Sequence, residues 1–233
     1  GRAFATFPES IGQIKGISYA VTSNGAAIYN KKTGERIHGV AIEYADLHSI
    51  LDAFADYFQN GQITYEAFVD GVAYGGREYV EHPEAFGVPE RNVAYVQSTR
   101  KPVDDIIAFL SEHEEELDSL DIVAADTALY QKIEEQIPLV TKSVYTTSAV
   151  SYRLEISHKN SGKATGLAYV LKLLDITPEE TVAFGDGDND AEMLEFAGLG
   201  VAMENATENC KAAADIVCDC CKNDGVARFL YGF

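Results

Sequence analysis

The run Thr181-Val-Ala-Phe-Gly185 breaks abruptly into Asp186-Gly-Asp188-Asn189-Asp190, and no other stretch of the chain restricts its fold as much. The apolar and β-favouring residues before the break predict a buried strand, and the pattern from Ala191 to Phe196 predicts a helix. The carboxylates then sit at a strand's carboxyl end. In an open parallel α/β sheet ligands bind there, where the following helix also points its free N–H groups. Three acids within five residues repel one another, so a counter-cation would hold them together, and oxygen-only ligation points to a hard ion such as Mg²⁺. The plainer alternative is a solvated acidic loop with Asp188 capping a helix. Asp186, Asp188 and Asp190 also have the spacing that opens an EF-hand calcium loop. That pattern fails on two positions, since its glycine is Ala191 and its closing glutamate is Ala197.

The units around this loop alternate. A helix follows Lys163 with Leu167, Leu171 and Leu174 on one face, then come strand 181–185, a helix from Asp188, strand Leu199–Met203, helix Ala206–Ala214, strand Ile216–Cys218 and helix Val226–Tyr231. Such alternation predicts a doubly wound parallel sheet. Upstream, Ile17–Thr22 predicts a strand ending in the polar turn Ser23-Asn24-Gly25, followed by a hairpin of Ala26–Tyr29 and Ile37–Val40.

From Ile42 the texture changes. Leu47, Ile50, Leu51, Phe54 and Phe58 recur at helical spacing, and Ile63–Val69 and Val72–Tyr74 flank Asp70-Gly71 as a tight hairpin. Pro102 is expected to start a helix through Leu110, followed by strand Leu120–Ala124, helix Ala128–Ile137, and strands Val140–Tyr145 and Val150–Ile156. Residues 42–157 thus read as an α+β unit inserted into a core made of 1–41 and 158–233. The insert carries 22 acidic and 7 basic residues, most of the chain's net charge of −19. Its densest run, Glu112-His-Glu-Glu-Glu-Leu-Asp118, is expected to be a solvated helix end.

That charge argues against binding nucleic acid or an anionic membrane, either of which needs a basic face. It leaves room for a phosphorylated small molecule held by a metal and one or two cations. With 233 residues, 46% of them hydrophobic, the chain can bury a real core, and no run approaches a membrane span. A cytoplasmic location is expected, as a monomer or homodimer, and four cysteines without regular pairing agree with a reducing compartment. Cys218, Cys220 and Cys221 lack a fourth zinc ligand at usable spacing, and Cys218 reads as a buried small apolar residue. His158, just past the insert, reads as a polar linker residue, with a hinge contact to substrate as the other possibility.

With these pieces placed, the chain resembles the haloacid dehalogenase superfamily, specifically its Cof-type (subclass IIB) phosphatases, whose cap is inserted between the second and third motifs. Gly1-Arg2 is similar to the end of the second motif, Thr-Gly-Arg, and Ser23-Asn24-Gly25-Ala26 to the Ser-Asn-Gly-Ala turn. Lys163, entering a helix after the insert, resembles the third-motif lysine. Gly185-Asp186-Gly-Asp188-Asn189-Asp190 fits the fourth motif, Gly-Asp-x-x-Asn-Asp, and Gly200-Val-Ala-Met203-Glu-Asn-Ala206 fits the strand and turn after it.

The resemblance implies hydrolysis of a phosphate monoester through an aspartyl-phosphate, with Mg²⁺ as cofactor. It implies that Asp186 ligates the metal, that Lys163 and Asp190 are catalytic, and that Arg2, Ser23, Asn24, Gly25 and Asn189 bind the substrate. Small phosphorylated metabolites, sugar phosphates first, are the expected substrates, and no cap residue names which. One departure is large: the first motif, Asp-x-Asp-x-Thr, is absent. It is expected upstream of Gly1 with two strands and a helix, roughly forty residues, so that residues 1–233 alone would be inactive. The alternatives are a catalytically inactive domain that binds metal or ligand, and a phosphomutase of the same superfamily.

Overall fold

The computed structural model describes residues 1–232, with the backbone alone at Ala149. The chain divides into two compact units, 1–161 and 162–233.

In the first unit, α1 (Glu9–Gln13) precedes an antiparallel sheet of β1 (Tyr19–Thr22), β2 (Ala27–Asn30) and β3 (Arg36–Gly39), in that order. β1 pairs with β2 from Tyr19↔Asn30 to Thr22↔Ala27, so the Ser23–Gly25 turn is the tight link of this pair.

The rest of the unit is built on a six-stranded sheet. Its strands are β4 (Ile63–Val69), β5 (Val72–Gly76), β6 (Arg100–Val103), β7 (Leu117–Ala124), β8 (Val144–Val150) and β9 (Arg153–His158), in the order β6-β5-β4-β7-β9-β8. All neighbours are antiparallel except β5 and β6. Asp70 (φ 45°) and Gly71 (φ 74°) make the β4–β5 turn, whose two positive φ angles suit the twist of a two-residue hairpin. The helices are α2 (Tyr44–Ala53), α3 (Ala55–Gln59), α4 (Arg77–Glu81), α5 (Glu90–Thr99), α6 (Ile106–Glu112) and α7 (Thr127–Val140).

Alternation along the strands separates two faces. Ile63, Tyr65, Ala67, Leu120, Ile122, Leu154 and Ile156 pack with Leu47, Ile50, Phe54, Leu110, Ile133 and Ile137 in the main core. The other face carries Thr64, Glu66, Ser119, Asp121, Arg153, Glu155 and Ser157, and these are buried too. Arg100 pairs with Glu66 at 2.8 Å, while Arg153 lies 2.9 Å from Glu155 and 3.3 Å from Asp121.

Several expectations for this unit need correction. Pro102 lies in β6, and the helix starts only at Ile106, because the Asp105 carboxylate accepts hydrogen bonds from the Ile107 and Ala108 N–H groups. Helices α4 and α5 were not expected, and Val140 ends α7 rather than opening β8. The acidic run does not end in solvent. Leu117 and Asp118 open β7 fully buried, with Asp118 2.5 Å from Arg36.

The second unit holds a parallel sheet of β10 (Val182–Gly185), β11 (Leu199–Met203) and β12 (Ile216–Cys218), with α8 (Lys163–Leu174), α9 (Ala191–Phe196), α10 (Glu208–Ala212) and α11 (Gly225–Tyr231). Ala183, Leu194, Val201, Ala202, Met203 and Cys210 form its core. This is the expected α/β winding. Residues 1–41 fall in the first unit together with 42–161. Among the described residues, no helix is long and apolar enough to cross a membrane.

Candidate active site

In the second unit, β10 delivers the acidic loop. Gly185 leaves the strand with no side chain because Asp190 folds back over it: a Cβ there would lie 2.4 Å from the Asp190 Cβ. Asp190 is buried, and its Oδ2 accepts from the N–H groups of Asp186 and Gly187, at 3.0 Å each. Its Oδ1 accepts from Lys163 Nζ at 2.5 Å, and Asn189 Oδ1 accepts from the same ammonium at 3.1 Å. Lys163 begins α8, so one helix start and one loop meet at a single cation.

The remaining acids are handled differently. Asp188 Oδ1 accepts from Thr207 Oγ1 at 2.5 Å and caps no helix, which corrects its expected role. Asp190 does the capping instead, by reaching back to Gly187. Thr207 was missed in the sequence, although its place before α10, where its hydroxyl accepts from Cys210 N–H, is an N-cap position. It also donates its own N–H to the Asp186 carbonyl at 3.1 Å.

Asp186 is exposed, and among the described residues no hydrogen bond or ion pair reaches its carboxylate. Lys163 and Thr207 thus hold two of the loop's three acids. The loop stays electronegative all the same. Burial pushes the nearby Cys210 thiol up, and Asp190, Asp186 and Asp188 push it further against the opposing pull of Lys163. A hard oxygen donor in a negative field suits Mg²⁺. Among the described residues, however, no group of three acids, histidines or cysteines is placed to hold a metal. Asp186 therefore fits as one ligand of such an ion.

In the first unit, the Ser23–Gly25 turn follows β1. Its three residues have φ of 48°, 52° and 91°, left-handed throughout, which costs a residue with a side chain roughly 1–2 kcal/mol. Ser23 and Asn24 are buried, and among the described residues Ser23 Oγ has no hydrogen-bond partner. Ser23 N–H donates to the Arg2 carbonyl at 3.0 Å, and a Cβ on Gly1 would meet Asn24 N at 2.4 Å, so Gly1-Arg2 lies directly on the turn. The Arg2 guanidinium stacks 5.3 Å above the Tyr95 ring. Arg2 also lines a cavity of about 680 Å³ with Phe4, Phe7, Ile17, Tyr19 and Lys31.

The structure thus gathers Arg2, Ser23, Asn24 and Gly25 in one unit, and Lys163, Asp186, Asn189 and Asp190 in the other. His158 is part of the sheet rather than a linker residue. It ends β9 buried, accepts from Asn160 N–H at its Nδ1, and faces Glu43 through Nε2 at 3.4 Å. Cys218 is buried with its Sγ 3.6 Å from Met203 Sδ, while Cys221 is exposed.

Known proteins resemble this chain in sequence and in fold. The chain is 50% identical over 80 residues to a phosphoglycolate phosphatase of Methanopyrus kandleri, an alignment that covers 34% of each chain. It is 29% identical over 236 residues to the phosphatase YwpJ of Bacillus subtilis, covering 91% of this chain and 78% of that one. It therefore spans about a third of the first relative's length. Among solved structures, a haloacid dehalogenase-like hydrolase from B. subtilis superposes with a TM-score of 0.78 at 24% identity, over 99% of this chain and 84% of that one. A family model, haloacid dehalogenase-like hydrolase, matches residues 1–230. With the lysine, the acidic loop and the parallel sheet where the motifs put them, the chain belongs to the haloacid dehalogenase-like hydrolases.

Proposed function

We propose that the natural polypeptide is a Mg²⁺-dependent phosphatase of small phosphorylated metabolites, sugar phosphates first, working through an aspartyl-phosphate. The observation that carries this reading is the Lys163 ammonium, fixed by Asp190 and Asn189, with the exposed Asp186 carboxylate in the same loop. Membership of the family and the phosphatases among the relatives support it. Lys163 places a positive charge where phosphoryl oxygens gather negative charge, and Asp190 keeps the ammonium from swinging into solvent. Asp186 is the residue that would hold Mg²⁺, which when bound supplies further neutralisation of the phosphoryl group. Arg2, Ser23, Asn24, Gly25 and Asn189 are assigned to substrate binding.

No Asp-x-Asp-x-Thr occurs among the 233 residues, so this reading takes the nucleophile from outside them. It also treats 1–41 and 158–233 as one core, with 42–157 as a cap that gates access on hinges near Gly39–Ile42 and Ser157–Gly162. The test is phosphate release from a panel of sugar phosphates and p-nitrophenyl phosphate by the natural polypeptide and its Lys163→Ala variant. The variant is expected to lose at least ~100-fold in kcat. Equal turnover by the two proteins contradicts the proposal.

A further inference from the structure

The Ser23–Gly25 turn is strained, buried and held from outside its own hairpin. Asn24 is gripped at both ends by strands of the six-stranded sheet. Its side-chain Nδ2 donates to Glu155 Oε2 at 2.6 Å, and its carbonyl accepts from the Tyr145 hydroxyl at 3.0 Å. Tyr145 lies on β8 and Glu155 on β9, adjacent strands in which Thr147 pairs with Glu155 and Tyr145 with Ser157.

Glu155 is itself fixed. Arg153 Nη2 donates to its Oε1 at 2.9 Å. Burial opposes its ionisation, and the Arg153 guanidinium favours it. A left-handed non-glycine residue persists only where its surroundings over-determine it, and these two side chains come from a part of the sequence 120 or more residues away. The neighbouring Ser23 Oγ, buried and without a partner among the described residues, is a polar group left over by that grip.

We infer that Glu155 and Tyr145 are positioning residues for the Ser23–Gly25 turn: the inserted sheet sets the conformation in which the turn meets substrate. This rests on the proposed substrate-binding role of the turn. It gives the insert a task besides covering the site, because seating β8 and β9 against Asn24 determines which way Ser23 and the Asn24 amide point. Neither residue touches the reacting atoms, so their loss should weaken substrate binding while leaving the chemical step nearly unchanged.

The experiment compares Asn24→Ala, Glu155→Ala, Glu155→Gln and Tyr145→Phe in the natural polypeptide, measuring KM and kcat for p-nitrophenyl phosphate with hydrogen exchange of the segment 19–30. Glu155→Ala and Tyr145→Phe are expected to raise KM by about 5- to 10-fold, the scale of one lost hydrogen bond, with kcat within about twofold. Exchange in the segment should quicken, and Glu155→Gln, which keeps an acceptor, should recover part of the KM. If Asn24→Ala leaves KM unchanged, the substrate-binding role of the turn fails and this inference fails with it. If Asn24→Ala raises KM while Glu155→Ala and Tyr145→Phe change neither KM nor exchange, the turn's role stands and the inference is overturned. Should Glu155→Ala not fold, Tyr145→Phe, which removes a single hydroxyl, decides by the same two readouts.

Discussion

Asp121 shows what it costs to bury charge in the six-stranded sheet. Burial pushes its carboxyl up, Glu155 adds repulsion, and Arg153 only partly offsets them, leaving it at about 8. Unfolded, the group returns to about 3.9. Between those values the folded chain holds the extra proton, so stability is greatest below about pH 4 for this group and falls as pH rises toward 8. Asp121→Asn should therefore raise the melting temperature at pH 8 by a few degrees and flatten the decline between pH 4 and 8. Thermal melts across that range check this, and an unchanged slope would mean that Asp121 is ionised throughout. Asp190 stands at the opposite extreme, buried but satisfied on both oxygens by Lys163 and two N–H groups.

Elements were legible where the local pattern was also the deciding force. Gly185 and Ala191 could be placed as a strand end and a helix start from the run alone, and they stand there. Adding a methyl at Gly185 should displace Asp190 from Lys163, so Gly185→Ala is expected to lower stability by about 1–3 kcal/mol and to reduce turnover, read by melting and steady-state rates. The start of α6 was misplaced because Pro102 drew the boundary and the true signal, Asp105 with N–H groups two and three residues on, is a cap. Asp105→Ala should cost about 1 kcal/mol, seen as a lower denaturant midpoint at unchanged slope. The Asp70-Gly71 turn marked β4 and β5 as a hairpin. The local pattern could not tell that the sheet's polar face is buried, since that depends on Arg100 and Arg153 arriving from other parts of the chain. The same holds for Glu155 and Tyr145 at Asn24, and for Thr207 at Asp188: partners 19 to 131 residues apart leave no local trace.

At the scale of the molecule, the two units carry different parts of the proposed chemistry, the turn at Asn24 in one and the lysine with the acidic loop in the other. The family could be recognised from the order of five short motifs, and the winding of the second unit follows that order. Residues 1–41 contribute β1–β3 as a sheet of their own. The central claim is that this chain supplies a metal-ligating carboxylate, Asp186, to a phosphatase, and Mg²⁺ titration of turnover in the natural polypeptide against Asp186→Asn tests it most directly. The expected result is at least a ~100-fold fall in kcat/KM with half-saturation moved to higher Mg²⁺; near-normal turnover of Asp186→Asn at limiting Mg²⁺ contradicts it.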